Sequence, residues 1–262
     1  MSILGQMKRG AKRAAEPVTA ALARASVHGP RPPRFAGAFD SYEAALASLP
    51  ARTLAGYDHD EVAEISFEAM TRVELWDYPV FHWIGALLPE GGSLVDFGGH
   101  MGTKHIAFAP YLDMARYDWT VCDLPAIIRA ARRAQAAGRL PEAIRFEDDL
   151  AACPAPDLFL ASGVMQYFPG GLGAVLAPLA ALPARVILNK VALRDGPQVV
   201  TLEKIGAARV PYQIRSEAAF VAEIETLGYR IADRWEIEPL SHRIPTHPRL
   251  GSSRSTGFVL TR

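Results

Sequence analysis

From Ser93 onward, short apolar runs alternate with segments whose apolar residues recur every three or four positions. Strands are predicted at Ser93–Phe97, Trp119–Cys122, Ile144–Phe146, Asp157–Ala161 and Arg185–Val191. Helices are predicted between them, at Thr103–Ala109, Pro125–Ala137 and Leu172–Leu182. Strands alternating with helices imply a parallel sheet covered on both faces. The end of the chain breaks that rhythm. Ser216 suits the N-cap of a helix with Phe220, Val221, Ile224 and Leu227 on one face, and Gly228 ends it. Two strands, Arg230–Ile237 and Thr256–Leu260, follow with no helix between them, so they should pair antiparallel. The predicted fold class is α/β: a doubly wound, mostly parallel, seven-stranded sheet with a reversed last strand.

The first third reads differently. Residues 1–25 suit a short basic helix broken at Pro17, and His28–Phe35, with Pro30, Pro32 and Pro33, suits a linker. Helices are predicted at Asp40–Leu49, with Asp40 or Ser41 as N-cap, at Asp58–Leu75, and at Tyr78–Leu88, where Pro79 fits a first turn. Three parts follow: a basic tail and linker (1–35), a helical extension (36–92) and the sheet domain (93–262).

Charge changes the picture only locally. The 28 basic and 28 acidic residues cancel, so no whole-chain field favours nucleic acid. Residues 1–34, however, hold seven Lys/Arg against Glu16 alone. Such a tail suits a solvated or partner-binding segment, with weak contact to an anionic membrane surface through residues 1–25 as the alternative. No apolar run approaches the ~20 residues of a membrane span, and no secretory signal is evident, so a cytoplasmic location is the default. Cys122 and Cys153 give neither a disulfide framework nor a zinc spacing, and no metal site is expected.

The chemistry concentrates in SLVDFGGHMGTKHIAF, Ser93 to Phe108. Gly98 and Gly99 let the backbone turn sharply beside a ligand, and Gly102 lets the next helix pack close. The dinucleotide fingerprint G-x-G-x-x-G is absent, and so is a P-loop. Asp96, two residues before the first glycine, would repel a pyrophosphate at the helix N-terminus. It suits a cationic ligand without phosphate, and S-adenosylmethionine has an ammonium and a sulfonium. Asp123, followed by Leu124 in TVCDLPAII, ends the second strand where a carboxylate can accept ribose hydroxyls. Asp148 and Asp149 lie past the third strand, where an acid can meet the adenine amino group. Ser162, Gly163, Gln166 and Tyr167 follow the fourth strand, at the mouth where a methyl acceptor would sit.

The run from Leu94 to Phe168 resembles the class I S-adenosylmethionine-dependent methyltransferases, whose Rossmann-like sheet has a reversed seventh strand. VDFGGHMG, CDLP, EDDL and DLFLASGVMQY fall in that family's order. The DLP run looks like the small-molecule O-methyltransferases best known from plants. The whole chain, including FAGAFDSYEAAL and VILNKVALRDGPQVVTLEKIG, is similar to a group of proposed bacterial methyltransferases often encoded near surface-polysaccharide genes. The resemblance implies S-adenosylmethionine as cofactor and O-methylation of a small-molecule or glycan-related acceptor, in polysaccharide biosynthesis. It places Asp96, Gly98 and Gly102 on the family's acid and glycines, Asp123 on its ribose acid, and Asp148, or Asp149 as alternate, on its adenine acid.

His100 stands where the family has its middle glycine. With a negative φ its imidazole could contact the methionine carboxylate; otherwise it points to solvent. The plant-like enzymes carry a histidine base after strand four, and Gln166 occupies that place here. Gln cannot take a proton. Tyr167 therefore ranks first for acceptor contact, with Gln166 and His105 as further candidates and His82 and His242 behind them. His82, among Trp76, Tyr78, Phe81 and Trp83, suits core packing better than a substrate cage. Two loops, Ala192–Arg215 and Pro239–Thr256, should overhang the mouth, the second basic and free of acids. Two rival readings remain: a nicotinamide-dependent oxidoreductase, disfavoured by Asp96, and a non-catalytic methyltransferase-like partner protein, which Gln166 keeps open.

Overall fold

The structure, a computed structural model, describes residues 16–27, 29–50, 67–206 and 208–262. Helix α1 (residues 16–26) includes Pro17, and the rest of the predicted tail helix, residues 1–15, lies outside the described residues. Strand β1 (Phe35–Phe39) forms where a linker and a helical extension were expected to meet. Helix α2 (Tyr42–Ala47) starts at Ser41, whose side chain accepts a hydrogen bond from Ala44 N. Half of the helix predicted at Asp58–Leu75, residues 58–66, lies outside the described residues, and in the other half the helix is broken, since residues 71–74 are not helical. Of it the structure describes α3 (Phe67–Met70) and the first residue of a 3-10 turn, Leu75–Asp77. Helix α4 (Tyr78–Leu87) follows, with Pro79 in its first turn as expected.

The alternating region forms as predicted. Strands β2 (Gly92–Phe97), β3 (Tyr117–Cys122), β4 (Arg145–Glu147), β5 (Leu158–Ser162) and β6 (Arg185–Arg194) are parallel. Helices α5 (Thr103–Phe108), α6 (Pro125–Ala136) and α7 (Leu172–Leu176) lie between them in sequence. Helix α7 stops short of Leu182 because Pro178, which follows the helical Ala177, has no N–H to continue the ladder. The sheet runs β4-β3-β2-β5-β6, then β10 (Arg254–Thr261), antiparallel to both its neighbours, then β9 (Arg230–Glu236). Side chains alternate across it. Leu94, Trp119 and Leu158 face one core with Ile84, Phe108 and Ile128, while Val95 and Phe159 face another with Met165, Leu176 and Phe220.

The segment expected as a loop, Ala192–Arg215, is a correction. Strand β6 continues to Arg194, and β7 (Val199–Ile205) and β8 (Ala208–Ser216) form an antiparallel hairpin that leads into helix α8 (Glu217–Thr226). Strand β1 adds to the free edge of β7, and β8 meets β6 at Leu193↔Arg215 and Arg194↔Ser216. The described chain thus has ten strands rather than seven, the extra three forming a small antiparallel sheet beside the mouth of the main one.

Glu203 on β7 fastens this small sheet. Its carboxylate is 2% exposed, takes Arg34 Nε and Nη2 at 2.9 and 2.7 Å on one oxygen, and accepts from the Tyr167 hydroxyl at 2.7 Å on the other. A hydrogen bond to a buried charge contributes about 1.5–3 kcal/mol. Tyr167→Phe should therefore lower unfolding stability by that amount in urea denaturation. Unchanged stability would mean that Glu203 is satisfied without the phenol.

Candidate functional site

Strand β2 delivers Asp96 to the glycine turn. The residue is 1% exposed, and neither carboxylate oxygen meets a donor in hydrogen-bonding geometry among the described residues, the Trp119 indole N–H being the neighbour that eases its charge. The carboxyl group lies under the turn itself: a Cβ on Gly99 would stand 2.5 Å from Asp96 Oδ2, so that position requires glycine. Burial, opposed by the charge of Lys104 and reinforced by that of Asp123, raises the Asp96 carboxyl to about 7. Gly98 and Gly102 both take positive φ, as the sharp turn demands.

His100 departs from both expectations. Its φ is +56°, not negative, and the side chain is buried rather than solvent-facing, its ring stacked on Phe67 with centroids 6.4 Å apart. The left-handed backbone aims His100 N at Asp123 Oδ2, 2.7 Å away. Burial lowers its pKa to about 4, so the ring is neutral. Asp123 Oδ1 meanwhile accepts from Leu124 N at 2.7 Å. One carboxylate thus joins the glycine turn to the start of α6, where Leu124 is exposed. Beyond β4, Asp148 and Asp149 are both exposed, but Asp149 accepts from Ala151 N at 2.9 Å to cap a 3-10 turn. Asp148 is the freer acid of the two.

A cavity of about 200 Å³ opens beside the turn, lined by Asp96, Gly98, Gly99, Thr103, Lys104, Ser162 and Lys190, and closed by Arg72, Glu74 and Trp76 from the N-terminal extension. Sequence reasoning missed Lys104, Lys190 and the extension's share. Lys104 is buried and pairs with Asp77, itself 0% exposed, at 2.8 and 2.9 Å. Asn189, also fully buried, donates to Trp76 O at 3.2 Å and Ser162 Oγ at 3.3 Å, and its Oδ1 accepts from Trp235 Nε1 at 3.3 Å. These bonds hold the extension over the ends of β5 and β6. The one signal in the sequence was a lysine in the helix after a glycine turn, with acids at 74 and 77 upstream.

The expected acceptor residues lie elsewhere, and none of Gln166, Tyr167 and His105 lines this cavity. Gln166 is 6% exposed and braces the β5 turn from below, its Nε2 donating to Gly163 O at 2.9 Å. Tyr167 turns to Glu203 and packs edge-on to Tyr212. His105 is buried edge-on to Trp119, and burial lowers its pKa. His82 is exposed beside Trp83 rather than in the core. His242 stacks on Phe35 at 4.5 Å, and burial with the charge of Arg34 lowers it to about 4. In the loop expected to be basic, Arg243 meets Glu16 at 3.2 Å, and Arg254, at the start of β10, meets Asp195 at 2.7 Å and also Glu217. Among the described residues no group of three His, Cys, Asp or Glu side chains is placed to hold a metal ion.

No protein-family model matches the chain, and no curated protein does. Solved structures do. A protein from Galdieria sulphuraria assigned as a sarcosine dimethylglycine methyltransferase superposes with a TM-score of 0.50 at 11% identity, covering 80% of this chain and 91% of that one. The chain has the methyltransferase fold. Also similar are the glycopeptide N-methyltransferase MtfA, solved with sinefungin (TM-score 0.47, 12% identity, 71% of this chain and 94% of that one), and human N-acetylserotonin methyltransferase, solved with S-adenosylmethionine (0.47, 15%, 79% and 57%).

The buried ion pair gives a direct test of the site's architecture. Removing one partner of such a pair strands the other charge and costs about 3–5 kcal/mol. Lys104→Met should destabilise the protein by that amount in denaturant unfolding, and the double variant Asp77→Leu with Lys104→Met should recover most of it. Two additive losses would show that the two residues act independently.

Proposed function

We propose that the chain is an S-adenosylmethionine-dependent methyltransferase that methylates a hydroxyl oxygen of a small-molecule or glycan-related acceptor. The observation that carries this reading is Asp96: a buried carboxylate, both oxygens unpartnered, tucked under a glycine turn at the carboxyl end of the first strand of the methyltransferase sheet. An unpaired buried carboxylate is costly, and a cationic ligand relieves that cost where a pyrophosphate would add to it.

In this reading Asp96 faces the cationic amino-acid end of the cofactor, with the Gly98–Gly102 turn and His100 beside it. Asp123 and Leu124 bind the ribose, Asp148 the adenine amino group, and Ser162 and Gly163 border the methyl side. The N–H groups of His100 and Leu124 hold the Asp123 carboxylate at the end of β3, where the ribose hydroxyls of the cofactor would reach it. When bound, the cofactor supplies a methyl group activated by its sulfonium. The chain's own contribution is to hold the acceptor in line and exclude water, which supplies on the order of 7–11 kcal/mol in favourable cases. Residues 93–262 are the catalytic body, preceded by the extension 36–92, whose residues from Ala69 to Trp76 border the cavity, and by the basic tail 1–35. No helix among the described residues is long and apolar enough to cross a membrane. The assignment of a glycan-related acceptor rests on the sequence resemblance, and no nucleic-acid substrate is proposed.

Titration calorimetry should detect S-adenosylmethionine and S-adenosylhomocysteine, and little or no NAD. Affinity for the sulfonium cofactor should rise with pH through about 7, because Asp96 then gains the charge that faces it, and further through about 8 as Lys190 loses its own. Asp96→Asn should remove the lower of these two limbs. Asp123→Ala should weaken binding by at least about 1.5–3 kcal/mol. Tight NAD binding, with no response to either methyl-cycle ligand, would overturn the reading.

A further inference from the structure

Lys190 is a cation of the cavity without an assigned role, as is Arg72 from the extension. Lys190 follows Asn189 on β6 and takes φ +62°, in the bulge where the pairing with β10 shifts register between Val191 and Leu188. Its neighbour Asn189 is fixed on three sides, by Trp76 O, Ser162 Oγ and Trp235 Nε1. The backbone is therefore held in a position that sends the Lys190 side chain across Gly163. A Cβ on Gly163 would lie 3.6 Å from Lys190 Nζ, so the ammonium rests against the turn after β5. Lys104, the other lysine of the cavity, is claimed by Asp77. Lys190 has no hydrogen bond and no carboxylate within 4 Å among the described residues.

We propose that Lys190 is the catalytic base on the acceptor side, its Nζ taking the proton of an acceptor hydroxyl; this rests on the methyltransferase reading. The charged groups facing it are Lys104 from α5, Glu74 and Asp77 from the extension, and Asp96 from β2. Lys190 is half-buried, and the protein packed around it, with Lys104 adding to that effect against the three acids, lowers it to about 8, so a usable fraction is neutral near neutral pH. Lys190 removes the O–H proton as the oxygen forms its bond to the methyl carbon. The carbon–sulfur bond breaks, its electron pair stays on sulfur as a neutral thioether, and the proton passes from the lysine to water. The acceptor class is an alcohol or phenol, since a carboxylate acceptor would need no base. This role fills the gap left by Gln166 at the family's histidine position, by Tyr167, which donates to Glu203, and by His105 in the core.

The test reads Lys190 itself. Acetic anhydride labelling of the full-length protein, quantified on the Lys190 peptide by mass spectrometry across pH, should give a midpoint near 8. Saturating S-adenosylmethionine should lower that midpoint further, and S-adenosylhomocysteine, which lacks the sulfonium charge, should lower it less. Lys190→Met should bind S-adenosylmethionine at least as tightly as the unaltered protein, because a like charge is gone. A midpoint near the ordinary ~10.4, or equal shifts with both ligands, would overturn the role of Lys190 while leaving the cofactor assignment standing. Failure of both ligands to bind in calorimetry would overturn the methyltransferase reading, and this role with it.

Discussion

The buried pairing of Lys104 with Asp77 is the interaction on which the site's arrangement depends. Both side chains are almost wholly withdrawn from water, and each would be costly alone. Asp77 also accepts from Glu74 N at 3.1 Å, so the same carboxylate closes the turn that precedes α4. The pair thereby attaches the N-terminal extension to the helix after the glycine turn and brings Arg72, Glu74 and Trp76 to the rim of the cavity. It has an electrostatic consequence as well. With Lys104 engaged, neither the buried Asp96 nor the half-buried Lys190 has an ion-pair partner within 4 Å among the described residues. Each then shifts toward its neutral form, the acid upward and the amine downward.

Much of the main sheet was legible in the sequence because its strands are buried on both faces and its helices show their periodicity. Leu94, Val95, Phe159 and Leu160 read as strand regardless of what surrounds them. The small sheet did not. Strand β1 follows three prolines, and β8 contains Pro211, which ordinarily argues against a strand interior. Pro211 is tolerated because β6 lies beside β8 only at Arg215 and Ser216, so most of that edge carries no ladder to β6. Pairing between residues 35–39 and 200–203 is set by tertiary packing, and no local pattern announces it.

The site was legible to the same extent and for the same reason. The placement of Asp96 and Asp123 was legible because both stand at the carboxyl ends of strands that the apolar runs mark. Position alone gives no side-chain direction. Tyr167 follows strand β5 as expected, yet its ring turns to Glu203, a residue 36 positions away whose strand had not been foreseen. Lys104 and Lys190 become informative only when one is seen to be paired and the other not. The left-handed backbone at His100 is likewise stabilised from outside the turn, by the carboxylate of Asp123.

The pairing of β1 with β7 also sets an order of events as the chain is made. Arg34 and Glu203 are 169 residues apart, so β1 waits until β2 to β6 have been made before its partner strand exists. During that interval Phe35 and Ala36, 4% and 3% exposed in the finished fold, have no sheet edge to cover them. Contacts this distant form late, because loop closure precedes any gain from them. The small sheet beside the cavity is accordingly completed by an early strand that joins only after most of the main sheet has been made.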